Sequence, residues 1–146
     1  MLLVTTSRKP SKNTRAFARQ LANLVPGSVY APRGKASVDD LASVARSKGL
    51  KKIAIVSDRC GNPGKIEFAR VSRSSWEWAE TLLIKSVSFK PLKSRFDEIR
   101  ISEELSGLFS AESDDEAEFT AEKKEHEISF SLGGKKLMVI KLKGGK

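Results

Sequence analysis

Leu2-Leu3-Val4-Thr5-Thr6-Ser7-Arg8-Lys9-Pro10-Ser11-Lys12-Asn13-Thr14-Arg15 passes from an apolar run, through hydroxyls and cations around one proline, into a helical pattern, with no acid anywhere in it. Leu2 to Thr5 has the length and continuity of a buried strand. Ser11 is placed to cap a helix on which Phe17, Leu21, Leu24 and Val25 recur at helical spacing, and Pro26-Gly27 stops it. A buried strand that opens into a cationic, hydroxyl-rich loop at a helix start is a place to hold phosphate, because free N–H groups and the helix dipole favour anions there.

The pattern continues outward from this stretch. Ser28 to Ala31 reads as a brief extended piece, followed by the basic loop Arg33-Gly34-Lys35. Ser37-Val38-Asp39-Asp40 supplies a hydroxyl cap with acids in the first turn, Val38, Leu41, Val44 and Ala45 form an apolar stripe, and Gly49 is the terminator. Ile53-Ala54-Ile55-Val56 is the clearest strand in the chain. The order β-α-β-α-β predicts parallel strands with right-handed crossovers, so the loops Ser7 to Lys12, Arg33 to Ser37, and the one beginning at Arg59 leave the sheet at one edge. Open α/β sheets bind ligands at that edge. Arg8, Lys9, Lys12, Arg33, Lys35, Arg59 and Lys65 are therefore expected on one basic face, with Ser7 and Ser11 suited to sugar and phosphate contacts.

Charge supports the same face. The 146 residues carry a net +9. Residues 1–73 hold fifteen Lys and Arg against four acids, a net of +11, and residues 74–146 hold twelve against fourteen, a net of −2. A concentrated surplus implies a polyanionic partner. A lone cysteine, Cys60, cannot form an internal disulfide, and no window approaches a membrane span, so the expectation is a cytoplasmic protein without membrane contact.

Lys65 to Ser72 and Ala79 to Phe89 read as strands, the latter also fitting a helical period through Trp76, Ala79 and Leu83. Phe96 to Ile101 reads as extended and Glu103 to Phe109 as a short helix. Ile128 to Leu132 and Lys135 to Leu142 flank Gly133-Gly134, a hairpin signal that pairs Phe130 with Leu137 and Ile128 with Val139. The acid-rich segment 112–127 reads as a solvated loop or mobile insertion.

Catalysis finds no footing. Cys60-Gly61-Asn62-Pro63-Gly64-Lys65 has Ile66 where a phosphatase loop needs arginine, and reads as a turn. Gly34-Lys35 lacks the glycine spacing of a P-loop. His126 lies alone among acids, and one Cys with one His leave metal ligation unsupported. No catalytic residue, metal or cofactor is expected. Aromatics are sparse near the basic loops: Phe17 reads as core, Tyr30 is nearby, and Trp76 and Trp78 read as packing residues. RNA recognised by shape and backbone fits better than base reading, and no DNA-binding module is visible.

Thr5-Thr6-Ser7-Arg8-Lys9-Pro10-Ser11 followed by Thr14-Arg15, with Arg33-Gly34-Lys35 and Asp58-Arg59-Cys60-Gly61-Asn62-Pro63, resembles the Brix-domain family of ribosome-biogenesis proteins, and the compact length resembles its archaeal members. The resemblance implies an α/β fold of two similar halves, each similar to the anticodon-binding domain of class II tRNA synthetases. It implies one domain over 1–146, with a basic half 1–73 and a second half 74–146. It also implies a non-catalytic factor in ribosomal RNA processing and subunit assembly, with Arg8, Lys9, Arg15, Arg33, Lys35 and Arg59 on an RNA-facing surface. The expected RNA-binding set is Ser7, Arg8, Lys9, Ser11, Lys12, Arg15, Arg33, Lys35, Arg59 and Lys65. The expected partners are ribosomal RNA or its precursor, together with ribosome-assembly proteins. The alternative is a protein-interaction scaffold within a ribonucleoprotein.

Overall fold

Nine strands form one mixed sheet in the order β2-β1-β3-β4-β5-β9-β8-β7-β6 in a computed structural model that describes residues 1–144. The first five elements are β1 (Leu3–Thr6), α1 (Lys12–Leu24), β2 (Val29–Tyr30), α2 (Val38–Ser47) and β3 (Lys52–Arg59). As the sequence predicts, β1 runs parallel to both β2 and β3. Ser11 caps α1 by accepting the Thr14 N–H, and Ser37 and Asp40 close a reciprocal capping box on α2. Gly49 ends α2 with φ +72°, a conformation that side chains resist.

From β3 onward the sheet turns antiparallel through β4 (Asn62–Val71) and β5 (Trp76–Phe89). Cys60 and Gly61 both have positive φ, the pattern of a two-residue hairpin turn, so the third loop of the basic edge leads into a strand and not a helix. β5 is a strand along its whole length. Its first part pairs with β4 and its second with β9 (Lys135–Leu142). The connection after β5 contributes only β6 (Arg100–Ile101), shorter than the extended piece expected from Phe96. It is tied instead to α1 and the turn after it: the Leu92 N–H donates to Gln20, the Phe96 N–H donates to the Asn23 carbonyl, and Arg95 donates to the Ser28 carbonyl. The helix α3 (Glu103–Phe109) matches its predicted span. β6 then runs parallel to β7 (Phe119–Lys124) across α3, as β1 runs parallel to β3, and β7, β8 (Glu127–Leu132) and β9 form an antiparallel meander.

Two expectations are corrected. The acid-rich segment 112–127 is not a loop throughout, because β7 lies inside it and Phe119 and Ala121 are buried. Alternating apolar residues win there because one face of β7 meets the core while its charges face water. The hairpin register is also one residue off: Phe130 pairs with Met138 and Ile128 with Ile140. A bulge leaves Leu137 unpaired on β9, which lets both Leu137 and Met138 be buried.

The sheet is covered unequally. α1 and α3 pack on one face over a core that runs through both ends of the sheet, with Phe68 against Phe109 at 6.1 Å and Phe109 against Phe130 at 5.7 Å. α2 alone packs on the other face, over Leu3, Ile53, Ile55, Ala69 and Val71. Lys52 is buried beneath α3. Its Nζ donates to the Gly107 carbonyl at 3.0 Å and pairs with Glu80 at 2.7 Å, so that β3, β5 and α3 meet at one cation. Among the described residues no helix is long and apolar enough to cross a membrane.

Candidate nucleic-acid interface

The parallel register of β1, β2 and β3 brings their carboxyl ends together, and the three loops that follow are joined by side chains. The Ser7 N–H extends the β1–β3 ladder by donating to the Val56 carbonyl at 2.9 Å. From there Lys9 turns the chain with φ +55° toward Pro10 and Ser11.

Asp58, near the end of β3, is the joint between the first loop and the hairpin turn. It accepts from the Ser11 N–H at 2.7 Å, lies 3.0 Å from the Ser11 hydroxyl, and accepts from the Thr14 hydroxyl. The Ser11 hydroxyl also reaches the Gly61 carbonyl at 2.9 Å, and Asn13 donates to Asn62 at 3.1 Å. Desolvation pushes the Asp58 carboxyl upward, but the hydrogen bonds from Thr14 and Ser11, with the charge of Arg15, pull harder and hold it below the ordinary carboxylate range. Ser11 is thus occupied by capping and by this joint.

Arg33 is the joint on the other side. Its Nε donates to the Ala36 carbonyl at 2.7 Å and its Nη1 to the Thr6 carbonyl at 3.1 Å, while Arg8 reaches the same Ala36 carbonyl at 3.5 Å. Partial burial, then the nearby charge of Arg8, lowers the affinity of Arg33 for its proton. The two guanidiniums therefore share the Ala36 carbonyl, and neither is in an ion pair among the described residues.

Arg8, Lys9, Lys12, Arg15, Lys35 and Arg59 are exposed on these loops and the first turn of α1, and Arg33 is half-buried among them. None of the seven appears in an ion pair among the described residues. The two nearest acids are engaged elsewhere. Asp58 holds the loop joint, and Asp40 accepts from the Ser37 N–H at 3.0 Å, the bond that most lowers its carboxyl below the ordinary range. The first turn of α1 has no acid of its own, and the Asp58 carboxylate at the Ser11 N–H meets the positive end of that helix. Ser7 is half-buried at the base of the rim. Lys65 stands apart: it lies along β4 opposite Leu83 and pairs with Glu67 at 3.5 Å.

Sequence reasoning missed Asp58 and Thr14. Both stand in the motifs that carry the family resemblance, but nothing local in either segment says that a carboxylate and a hydroxyl 44 residues apart meet. It also left unexplained Gly64, where a Cβ would lie 2.4 Å from the Arg59 Cβ. That glycine lets the hairpin close beneath Arg59.

No family model matches the chain. Among curated proteins, it is similar to a probable Brix domain-containing ribosomal biogenesis protein of Thermococcus kodakarensis, with 32% identity over 90 residues, 62% of this chain and 43% of that protein. The corresponding protein of Methanothermobacter thermautotrophicus is 45% identical over 67 residues, 46% of this chain and 40% of that protein. The chain thus matches less than half the length of these relatives. Among solved structures, a probable ribosomal biogenesis protein from Aeropyrum pernix shares the fold with a TM-score of 0.81 at 24% identity, covering 99% of this chain and 96% of that one. Mil, an archaeal Imp4-like protein, superposes with a TM-score of 0.72 at 30% identity, covering 97% of this chain and 96% of its own.

Proposed function

This chain belongs to the Brix-domain family of ribosome-biogenesis proteins, and from that premise we propose that it is a non-catalytic assembly factor that holds structured ribosomal RNA, its precursor above all, through the cationic rim. One observation carries the reading: seven cations on three interlocked loops, the end of β3 and the first turn of α1 gather at one sheet edge, and none is in an ion pair among the described residues. Phosphate is the ligand such an edge lacks. Arg8 and Arg33 keep N–H groups beyond those given to carbonyls, and Lys9, Lys12 and Lys35 add mobile point charges. Contacts of this kind set register and grip without choosing sequence, which suits a factor that steadies an RNA fold during assembly.

The organisation belongs to the same proposal. The protein acts in the cytoplasm as one domain over 1–146, with a basic half 1–73 and a second half 74–146 that share a likeness to the anticodon-binding domain of class II tRNA synthetases. The repeat of a parallel pair across a helical crossover, β1 with β3 and β6 with β7, supports the two-part reading.

If about six phosphates are contacted, the log–log salt slope for a ribosomal RNA hairpin is about −4 to −5. Replacing Arg8, Lys9 and Lys12 with alanine is expected to weaken binding and flatten the slope by about two to three units while thermal unfolding stays in place. Fluorescence anisotropy across a salt series reads both quantities, and an affinity unchanged by the triple substitution rejects the rim.

A second reading, a protein-interaction scaffold in a ribonucleoprotein, is favoured by the opposite edge. A groove of about 1040 Å³ lies there, lined by Asp97, Glu98, Glu112, Asp114 and Asp115 beside Lys51. Basic segments of ribosome-assembly proteins are its natural counterpart. Binding to naked RNA that ignores salt would favour this reading over the first.

A further inference from the structure

The sheet face that carries α2 is covered only in part. Beyond Trp76, which flanks the α2 core, no helix lies on it, since α1 and α3 both pack on the opposite face. Trp78 belongs to the open part, being opposite Ala69, a residue of the α2 core. Leu83 does too, because its neighbours Leu82 and Ile84 both turn to the other core. Trp78 is 51% and Leu83 52% exposed.

Trp78 is braced. Trp76 meets it edge to face at 5.0 Å, and the Trp76 indole N–H donates to Asp39 at 2.6 Å. The surroundings are polar, not apolar: lysines and hydroxyls stand there with Glu67, which pairs with Lys65 at 3.5 Å, and Glu127, which is opposite Lys141 and pairs with Lys136 at 3.1 Å. Lys65 is opposite Leu83, and Thr81 is opposite Glu67. Lys141 is paired with Ser86 and alternates with the inward-facing Ile140 and Leu142, so it faces the open side. The Lys143 N–H donates to the Leu83 carbonyl. Neither Lys141 nor Lys143 is in an ion pair among the described residues. At its β3 end this face reaches the rim through the pair Ser57 and Lys65.

We propose that the open sheet face around Trp78 and Leu83 binds single-stranded RNA, with a base stacked on Trp78 and the phosphates running past Lys65 and Lys141 toward the rim. The proposal rests on the RNA-binding reading and adds to it a second, stacking mode. An aromatic platform flanked by lysines is an arrangement that holds unpaired nucleotides with little sequence preference. Among the described residues Thr81 and its partner Glu67 lie between Trp78 and Leu83 on this face, so the two large side chains do not make one contiguous apolar patch, the usual mark of a stable protein interface.

The test uses the full chain, a fluorescein-labelled twelve-nucleotide oligouridine, and a ribosomal RNA hairpin whose bases are paired. Trp78→Ala is expected to weaken oligouridine binding about five- to hundredfold, the weight of one stacked base, with the salt slope unchanged because no charge is removed. Oligouridine should also quench tryptophan emission in the wild type, and Trp78→Phe should keep most of the affinity while lowering the quenching, Trp76 being half-buried against the α2 core. Oligouridine affinity within twofold of wild type in Trp78→Ala overturns the proposal and hands the face to a protein partner. Should that variant fail to fold, undiminished quenching in Trp78→Phe overturns it equally. Loss of hairpin binding in the rim triple variant, with oligouridine indifferent to Trp78, rejects this inference and leaves the rim. Oligouridine binding that depends on Trp78, with hairpin affinity indifferent to the rim, does the reverse. A wild-type chain that binds neither RNA rejects both.

Discussion

Replacing Asp58 with alanine tests whether the rim is assembled by one carboxylate. The substitution removes the acceptor of the Ser11 N–H at 2.7 Å, of the Ser11 hydroxyl at 3.0 Å and of the Thr14 hydroxyl. Hydrogen bonds to a charged acceptor are worth about 1.5–3 kcal/mol each when water is excluded. Asp58 reaches solvent, so each is discounted to about 0.5–1 kcal/mol. Thr14 is fully buried, but its hydroxyl keeps the Ser11 oxygen at 3.1 Å and is not orphaned. The sum is about 2 kcal/mol, which for a chain of this size lowers Tm by about 4–8 °C. The loss should shrink in acid. A carboxyl whose folded pKa is depressed contributes stability that is complete above its unfolded value and is lost as pH falls through the folded one, so the gap between wild type and variant should narrow as pH drops from about 5 to below 3. Thermal denaturation followed by circular dichroism across that range measures it. A double-mutant cycle with Thr14→Val should return a coupling of about 0.5–1.5 kcal/mol, since the two side chains touch. A Tm within 1 °C of wild type at neutral pH, or strict additivity with Thr14→Val, refutes the claim that Asp58 ties the loops.

Gly64→Ala places a Cβ 2.4 Å from the Arg59 Cβ and 3.3 Å from the Arg59 nitrogen, both anchored in the hairpin, so a loss of about 1–3 kcal/mol is expected in chemical denaturation. Lys52→Ala leaves the Gly107 carbonyl and Glu80 without their cation; because Glu80 is 43% exposed on its side chain, the cost is set below that of a fully buried pair, at about 2 kcal/mol, and Lys52→Met should recover part of it by filling the volume. Hydrogen exchange should show amides in 119–124 protected and those in 112–116 exchanging freely, apart from the Asp114 N–H, which donates to the Ile99 carbonyl at 2.8 Å, and the Glu116 N–H, which donates to the Asp114 carboxylate at 2.9 Å; uniform fast exchange across 112–127 would contradict β7.

The N-terminal layout was legible because its signals are local. Ser11 and Ser37 cap the helices they precede in sequence, Pro26-Gly27 and Gly49 end them, and two helices between three apolar runs leave parallel pairing as the economical solution. Acid density hid β7, since a strand needs only every second residue to be apolar and the eye follows the charges between. The hairpin around Gly133-Gly134 was recognisable from its turn, but the bulge at Leu137 was not, because packing against the core and not the turn sets the register beyond the first pairs.

Sequence alone determined that fifteen cations crowd into residues 1–73 and that an apolar strand empties into a basic loop at a helix cap, both consequences of residue order within a few turns of chain. Only the tertiary structure decided which of those cations stand together. It made Asp58 a joint across 44 residues of sequence from Thr14, turned Arg33 inward to carbonyls, and paired Lys65 with Glu67 on an open sheet face opposite Leu83. The reason is physical: a charge is a property of one residue, but a field is a property of distances, and strand pairing sets those distances between segments that share no local signal.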